Sequence, residues 1–392
     1  MTALYPVFFS QSSMAHLDLA AAAFTFWGLL AYVERRPLGQ AMWFSLAALT
    51  KETAILAPLA LFAWECVTRL MLHGPTGGRK ARPAILLVPL LPLACWYGFH
   101  YLQTGYLLGN PEFYRYNVSA TLDIERIPVA LGIRLWQLIG YFGLWLLTLA
   151  GSLAVTRKPQ ETSGAERPRI PVWIQGAFFS VVLAYVLFMA AIGGAALARY
   201  MLPVVPVIMM IWISTLWRRV RYWALIVGAI AIVFVTGLFH NPPYGFSMED
   251  NLAYRDFVVL QAQAIRFLEM QSPRARVLTA WPASDELNRP WLGYVSQPFP
   301  VVRIEDFRAS EIARVVNSRN QFDVALVFST KYEPEHPIFE NWQWWREVKE
   351  RYFGYHRDLQ PEEIARRLGG RMIFRKQIKE QWVGVIELVG TE

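Results

Sequence analysis

Long apolar stretches separated by short charged ones constrain the fold of this chain most. They cover residues 19–33, 40–50, 53–68, 83–102, 131–155, 171–192, 200–216 and 222–239. In lipid, every backbone N–H and C=O group must form a hydrogen bond within the protein, and an α-helix forms these bonds within a single segment. Of the 392 residues, 55% are apolar and only 17% are charged, and the mean hydropathy is +0.27. The sequence therefore predicts a polytopic α-helical membrane protein.

Two charged residues, Lys51 and Glu52, interrupt the apolar stretch from Gln40 to Thr68. At ~1.5 Å per residue this stretch is too long for one upright crossing and too short for two. A charge inside a bilayer is costly, and it usually faces a water-filled cavity that serves a function. We expect two short helices that meet at residues 50–52. One long tilted helix with a snorkelling Lys–Glu pair is the alternative.

Basic residues recur after every second apolar segment, if 40–50 and 53–68 count separately. By the positive-inside rule these connections are cytoplasmic. If residues 40–68 crossed the membrane only once, every later connection would lie on the opposite side, and the basic connections would be outside. The positive-inside rule therefore also favours a break at residues 50–52. It places Asp18, the 50–52 turn and the chain after residue 240 outside a cytoplasmic membrane. The basic residues are Arg35, Arg36, Arg69, Arg79, Lys80, Arg82, Arg157, Lys158, Arg167, Arg169, Arg218, Arg219 and Arg221.

Residues 241–392 differ in pattern from the membrane domain, residues 1–240. Their acidic and basic residues nearly balance, so the net charge of +8 belongs to the membrane half and does not indicate a nucleic-acid partner. We predict a small extracytoplasmic α/β domain with a partly parallel sheet. Its predicted elements are helices at 252–270 and 305–317, strands at 276–281 and 322–329, and a hairpin of 371–377 with 382–388.

Aromatic residues cluster near the end of this second domain, at Trp342, Trp344, Trp345, Tyr352 and Tyr355. We expect them to form the core of the domain or the surface by which it contacts the membrane. Stacking on carbohydrate is the alternative.

Asp18 and the pair Arg199–Tyr200 each open an apolar segment from the predicted outer side. An acidic residue at a helix N-terminus is favoured by the helix dipole, so Asp18 is either a cap or a carboxylate in a cavity. Arg199 and Tyr200 either anchor the interface or hold a phosphate, which the guanidinium fork suits.

The loop 103–127 is rich in tyrosine, asparagine and glycine. Aromatic faces and amides suit a sugar-binding lid, although an ordinary surface loop has the same composition. The candidates are Tyr106, Asn110, Tyr116 and Asn117, the last in a weak glycosylation sequon.

Four strings in this order resemble one enzyme family: PVFFSQSSMAHLD at 6–18, ALTKE at 48–52, TG followed by GNPEFYRYN at 104–117, and ARYMLPVVP at 198–206. Together they resemble the polyprenyl-phosphate-sugar-dependent glycosyltransferases of the GT-C fold, the relatives of protein O-mannosyltransferases and lipid A aminoarabinose transferases. The resemblance covers residues 1–240. Each string alone is degenerate, whereas the ordered set is moderately specific.

The resemblance implies transfer of a sugar from a polyprenyl-phosphate carrier to a protein, lipid or glycan at the outer face of the membrane. Asp18 matches a second acidic position of the family, Lys51 and Glu52 match its lysine-containing turn, and Arg199–Tyr200 match its late RY pair. We expect Asp18, Lys51 and Glu52 to be catalytic. The expected substrate-binding residues are Arg199, Tyr200, His16, Tyr106, Asn110, Tyr116 and Asn117. No metal ligand set or cofactor is predicted, and a divalent cation beside Asp18 and Glu52 stays an open alternative.

The family's first acidic outer loop would lie upstream of Met1, and residues 1–9 resemble the end of a transmembrane helix. We therefore expect that N-terminal spans are missing. Two other functions stay open: a catalytically incomplete remnant or non-catalytic subunit, and a secondary transporter, which also places charges at broken helices.

Overall fold

The computed structural model describes residues 1–14, 16–71, 83–107, 121–162, 164–192, 196–339 and 341–388. The structure is 64% helical. It divides into two compact units, Met1–His240 and Asn241–Glu392.

The first unit consists of helices, with one small hairpin of β1 (Glu161–Thr162) and β2 (Ala165–Glu166). The helices are α1 (Pro6–Ser13), α2 (Leu17–Val33), α3 (Pro37–Thr50), α4 (Leu56–Met71), α5 (Leu90–Thr104), α6 (Arg126–Ile139), α7 (Leu144–Val155), α8 (Val172–Ile192), α9 (Val205–Arg219) and α10 (Trp223–Phe239).

Four helical segments of the described chain are long and apolar enough to cross a membrane: Glu52–Met71, Pro83–Thr104, Arg126–Val155 and Val172–Ile192. A fifth is obtained if α1 and α2 are counted together, although their axes differ by 117°. These helices are consistent with a membrane protein. The number of crossings and the side of each connection stay predictions.

The predicted interruption at residues 50–52 is confirmed. Helix α3 ends at Thr50, and Lys51 is extended, with φ −153° and ψ 122°. A 3₁₀ turn over Glu52–Ile55 then leads into α4. The alternative of one unbroken helix is wrong.

Helices α2 and α3 form a hairpin that packs through small residues and through Trp43, which stacks on Phe24 and Trp27. Ala21, Ala47 and Ala54 are buried together, and a Cβ atom at Gly28 would lie 2.5 Å from Cε1 of the buried Phe44 ring. Small side chains let helix backbones approach closely where lipid gives no hydrophobic driving force. Because α2 begins where α3 ends, the hairpin brings Asp18 and Lys51 to the same end.

The second unit contains one five-stranded sheet in the order β4-β3-β5-β7-β6. Strand β3 is parallel to both β4 and β5, whereas β7 is antiparallel to β5 and β6. The predicted partly parallel sheet is therefore confirmed. The strands are β3 (Val277–Ala280), β4 (Val301–Ile304), β5 (Val324–Phe328), β6 (Gly370–Ile378) and β7 (Gln381–Leu388), and the helices are α11 (Ala253–Gln271), α12 (Ala283–Asn288), α13 (Ala309–Val316), α14 (Gln343–Phe353) and α15 (Pro361–Leu368).

The predicted helices and strands of this unit are confirmed within a few residues, and the apolar face of α11 (Phe257, Leu260, Ala264 and Leu268) is buried in its core. Strand β4 and the helices α12, α14 and α15 were not predicted.

The aromatic cluster in and around α14 does not form the core of the second unit, so that part of the prediction is wrong. No residue of α14 is buried, and Trp342 and Trp344 are 48% and 57% exposed. Their rings lie in contact, with centroids 5.9 Å apart. Membrane contact and carbohydrate stacking both stay predictions.

Candidate functional site

A carboxylate between two cations forms the centre of the candidate site. Lys51 Nζ makes an ion pair with Asp18 Oδ1, and Arg199 Nε lies 3.7 Å from Asp18 Oδ2. Asp18 is in the first turn of α2, Lys51 is at the end of α3, and Arg199 is on the 3₁₀ turn Ala198–Met201. The structure thus brings together three residues that are 33 or more positions apart in the sequence.

The Tyr200 ring forms one wall of this cluster. Lys51 Nζ lies 4.1 Å from the ring centroid, and the guanidinium carbons of Arg199 and Arg134 lie 5.8 and 5.9 Å from it. A cation over an aromatic face is attracted to the ring's negative potential. The ring therefore lies against three cations, two of which pair with Asp18.

His16 joins the cluster from the N-cap of α2. Its Nδ1 atom contacts Oε1 of Gln11 and lies 3.4 Å from Nη1 of Arg199. Gln11 is fully buried on α1, so the segment that enters α2 is tied to the cationic side of the cluster.

Arg134 is a member of the site that our sequence reasoning missed. It lies on α6, is buried, and its Nη1 donates hydrogen bonds to Leu197 O and to Gln137 Oε1, each at 2.9 Å. Gln137 Nε2 in turn donates to Ala196 O at 2.6 Å. These bonds fix the backbone just before Arg199. The available signal was an arginine inside the apolar segment 131–155, which marks a functional residue by the same argument as Lys51.

Of the remaining predicted site residues, Glu52 borders the cluster beside Lys51, and the others are not shown there. Glu52 is exposed and has no ion-pair partner within the described ranges. Tyr106 is exposed beyond the end of α5, where its backbone amide donates to Thr104 Oγ1 at 3.2 Å. Asn110, Tyr116 and Asn117 lie outside the described residues.

The charge balance of the cluster favours an anion over a metal ion. Lys51 and Arg199 supply two positive charges against the carboxylate of Asp18, and the guanidinium of Arg134 faces the same Tyr200 ring. Both oxygens of Asp18 already face cations, so a metal ion there would have to displace one. The side chains of Lys51 and Arg199 are 18% and 19% exposed, which leaves both accessible to a ligand.

No protein-family model matches this chain, and no match was found among the curated proteins or among the solved structures. The likeness of its sequence strings to the GT-C enzymes therefore stays a resemblance.

Proposed function

We propose that this protein is an integral-membrane glycosyltransferase that moves a sugar from a polyprenyl-phosphate carrier to an acceptor at the outer face of the membrane. The observation that carries the proposal is the convergence of Asp18, Lys51 and Arg199 at the ends of separate helices. A lysine and an arginine that share one carboxylate leave positive charge for a phosphate ester.

In the proposed reaction, an acceptor hydroxyl attacks the anomeric carbon of the sugar. The bond from that carbon to the carrier phosphate breaks, and negative charge develops on the leaving phosphate oxygen. Lys51 and Arg199 stabilise this charge, because they are positioned before the reaction begins. Glu52, exposed and next to Lys51, orients the acceptor and takes the hydroxyl proton.

Asp18 positions the two cations in this proposal and does not act as a base. Its two oxygens hold Lys51 and Arg199 at a common position, so it sets the geometry of the phosphate site. Arg134 acts one step further away, through its hydrogen bonds to the segment before Arg199.

The full-length chain, reconstituted in liposomes, tests this function with a panel of polyprenyl-phosphate-linked sugars and a mixture of acceptors. We expect transfer of label from one carrier to an acceptor, and a loss of about 100-fold or more in Lys51→Ala and Arg199→Ala. Lys376→Ala is the matched control, because Lys376 is exposed on β6 of the second unit. Correct folding is checked by tryptophan fluorescence and gel filtration. Unchanged transfer in both site variants, or no transfer by the folded wild type with any carrier, would overturn the proposal.

A secondary transporter is the second candidate, because the charged break at Lys51 is the kind of discontinuity on which transporters build substrate sites. The same liposomes distinguish the two functions. A transporter accumulates free solute without breaking a glycosidic bond, whereas a transferase yields a labelled acceptor.

A further inference from the structure

The parallel strands of the second unit end at one edge of the sheet, and several polar residues follow them there. Because β3, β4 and β5 are parallel, their carboxyl ends lie together. Ligands of open α/β sheets bind outside this edge. Asp306 comes two residues after β4, and Thr330 and Lys331 come shortly after β5. The segment after α14 adds His356 and Asp358.

Three of these side chains converge with metal-binding atoms. His356 Nε2 lies 3.3 Å from Asp306 Oδ2 and 3.6 Å from Asp358 Oδ1. One ligating atom from each residue lies within 4.8 Å of the others. One imidazole and two carboxylates are a donor set that suits Mn²⁺, Fe²⁺ and Zn²⁺.

Asp358 supplies a second, independent observation. Its side chain is only 9% exposed, and its Oδ1 atom is buried without a hydrogen-bond partner. The other oxygen, Oδ2, accepts hydrogen bonds from Thr330 N at 3.2 Å and from Thr330 Oγ1. The Oδ1 oxygen faces the His356 imidazole at 3.6 Å but accepts no hydrogen bond from the described residues, and a buried oxygen of this kind is costly, so a metal ion bound there would stabilise it.

The imidazole of His356 lies between the two carboxylates, with Nε2 facing both and Nδ1 3.3 Å from Gly354 O. In the tautomer that donates its Nδ1 proton to this backbone carbonyl, Nε2 becomes the ligating atom once Lys331 is displaced, which is how histidine ligands are commonly fixed around metals.

We propose that Asp306, His356 and Asp358 bind one divalent transition-metal ion of the Mn²⁺ or Zn²⁺ kind. Ligand atoms at ~2.1 Å from a common ion lie at most about 4.2 Å apart, so the widest pair here closes by about half an ångström through side-chain rotation. With only three protein ligands, the ion keeps open positions at the carboxyl edge of the sheet, where a substrate or water can bind.

Lys331 lowers the affinity of this site for a metal ion. Its Nζ atom lies 3.1 Å from His356 Nδ1 and 3.2 Å from Nε2, and it donates to His356 O at 3.1 Å. An ammonium in this position competes with the metal ion for the same carboxylates. Arg308 Nη2, 3.0 Å from Asp306 Oδ2, competes for one of them. Metal binding therefore displaces Lys331, and removing the lysine strengthens the site.

The test is a Mn²⁺ titration of the metal-free, detergent-solubilised full chain, followed by the EPR signal of free Mn²⁺, with Zn²⁺ as competitor. We expect one bound equivalent in the wild type, a roughly tenfold or greater loss of affinity in Asp358→Asn and His356→Gln, and tighter binding in Lys331→Met. His336→Gln, which removes an exposed histidine of the same unit, is the matched control and should bind as the wild type does.

Two outcomes would overturn the proposal. The first is a wild type that leaves Mn²⁺ free at millimolar concentration. The second is unaltered binding in Asp358→Asn and His356→Gln, because the ion would then be held elsewhere. Asp18→Asn, a variant of the first unit, is a further control, and we expect it to bind Mn²⁺ as the wild type does. Circular dichroism of each variant shows whether a loss of binding reflects unfolding.

Discussion

At the scale of single residues, Asp18 determines the charge of the candidate site. It is 7% exposed, and each of its oxygens faces a different cation. Separating a buried ion pair by removing one partner leaves the other charge without compensation, which costs more than the pair contributes. Asp18 is therefore coupled energetically to Lys51 and Arg199, whatever ligand the site binds.

A double-mutant cycle measures this coupling. We expect Asp18→Asn to lower the free energy of unfolding in detergent by about 3 kcal/mol, because Lys51 and Arg199 then repel each other without a counter-charge. Asp18→Asn combined with Lys51→Met should cost less than the sum of the two single changes. Strict additivity of the two changes would show that the pair is not coupled.

At the scale of elements, the α2–α3 hairpin and the break after Thr50 place the site. The hairpin aligns Asp18 with Lys51, and the break frees Lys51 from the helix so that its side chain reaches Asp18. This geometry depends on the close approach of Gly28 to the Phe44 ring, which is fully buried.

Gly28→Ala is therefore expected to destabilise the first unit by about 1–3 kcal/mol, because its new methyl group overpacks the hairpin. Gly228→Ala on α10 is the matched control. Apart from its chain neighbours and the backbone of its own helix, no described atom lies within 4 Å of a Cβ at that position, and alanine favours a helix over glycine. Thermal unfolding in detergent distinguishes the two, and equal midpoints would contradict the packing argument.

The sequence predicted those elements whose hydrophobic pattern is unambiguous. The charged interruption at Lys51, the buried strand β5 and the amphipathic α11 all have such patterns. Strand β4 was missed because only Ile304 of its four residues is buried, at the edge of the sheet. Helix α14 was missed although Trp345, Val348 and Tyr352 recur at helical spacing and are half-buried, because the aromatic residues of this segment indicated a cluster and not one face of a helix.

The site was predicted only in part, for a related reason. Charges that open apolar segments, such as Asp18 and Arg199, are conspicuous in the sequence. Arg134 contributes through bonds to backbone carbonyls from another segment, and a sequence does not display such long-range partners. Its charge inside a span was a usable signal, but its position beside Tyr200 was not predictable.

At the scale of the whole molecule, the two units differ in what stabilises them. The first rests on close helix contacts in an apolar chain, whereas the second buries a mixed sheet under α11 and the shorter helices. Titratable groups buried in the second unit therefore make its stability depend on pH. Burial raises the pKa of the Glu286 carboxyl to about 7, although a hydrogen bond from Tyr294 opposes the shift.

The folded state favours the protonated form of the Glu286 carboxyl, and this determines the sign of the pH dependence. Between about pH 4.5 and pH 7 the unfolded chain loses the Glu286 proton while the folded chain keeps it, so stability falls as pH rises. The decrease is on the order of 3 kcal/mol. Glu286→Gln should abolish this part of the dependence. Hydrogen exchange of β3 and β5 in the full chain, compared between wild type and variant across that range, measures it. Parallel pH profiles in both proteins would contradict the assignment to Glu286.

The position of β7 in the sheet has a consequence for how the second unit assembles. This strand, Gln381–Leu388, is nearly the last described segment, yet it lies between β5 and β6 and pairs with both. In a nascent chain that has emerged only as far as residue 380, one edge of β5 is unpaired and β6 has no neighbouring strand, because β7 lies between them. Completion of the sheet therefore waits for the synthesis of β7, and until then the apolar β5 edge is open to non-native pairing.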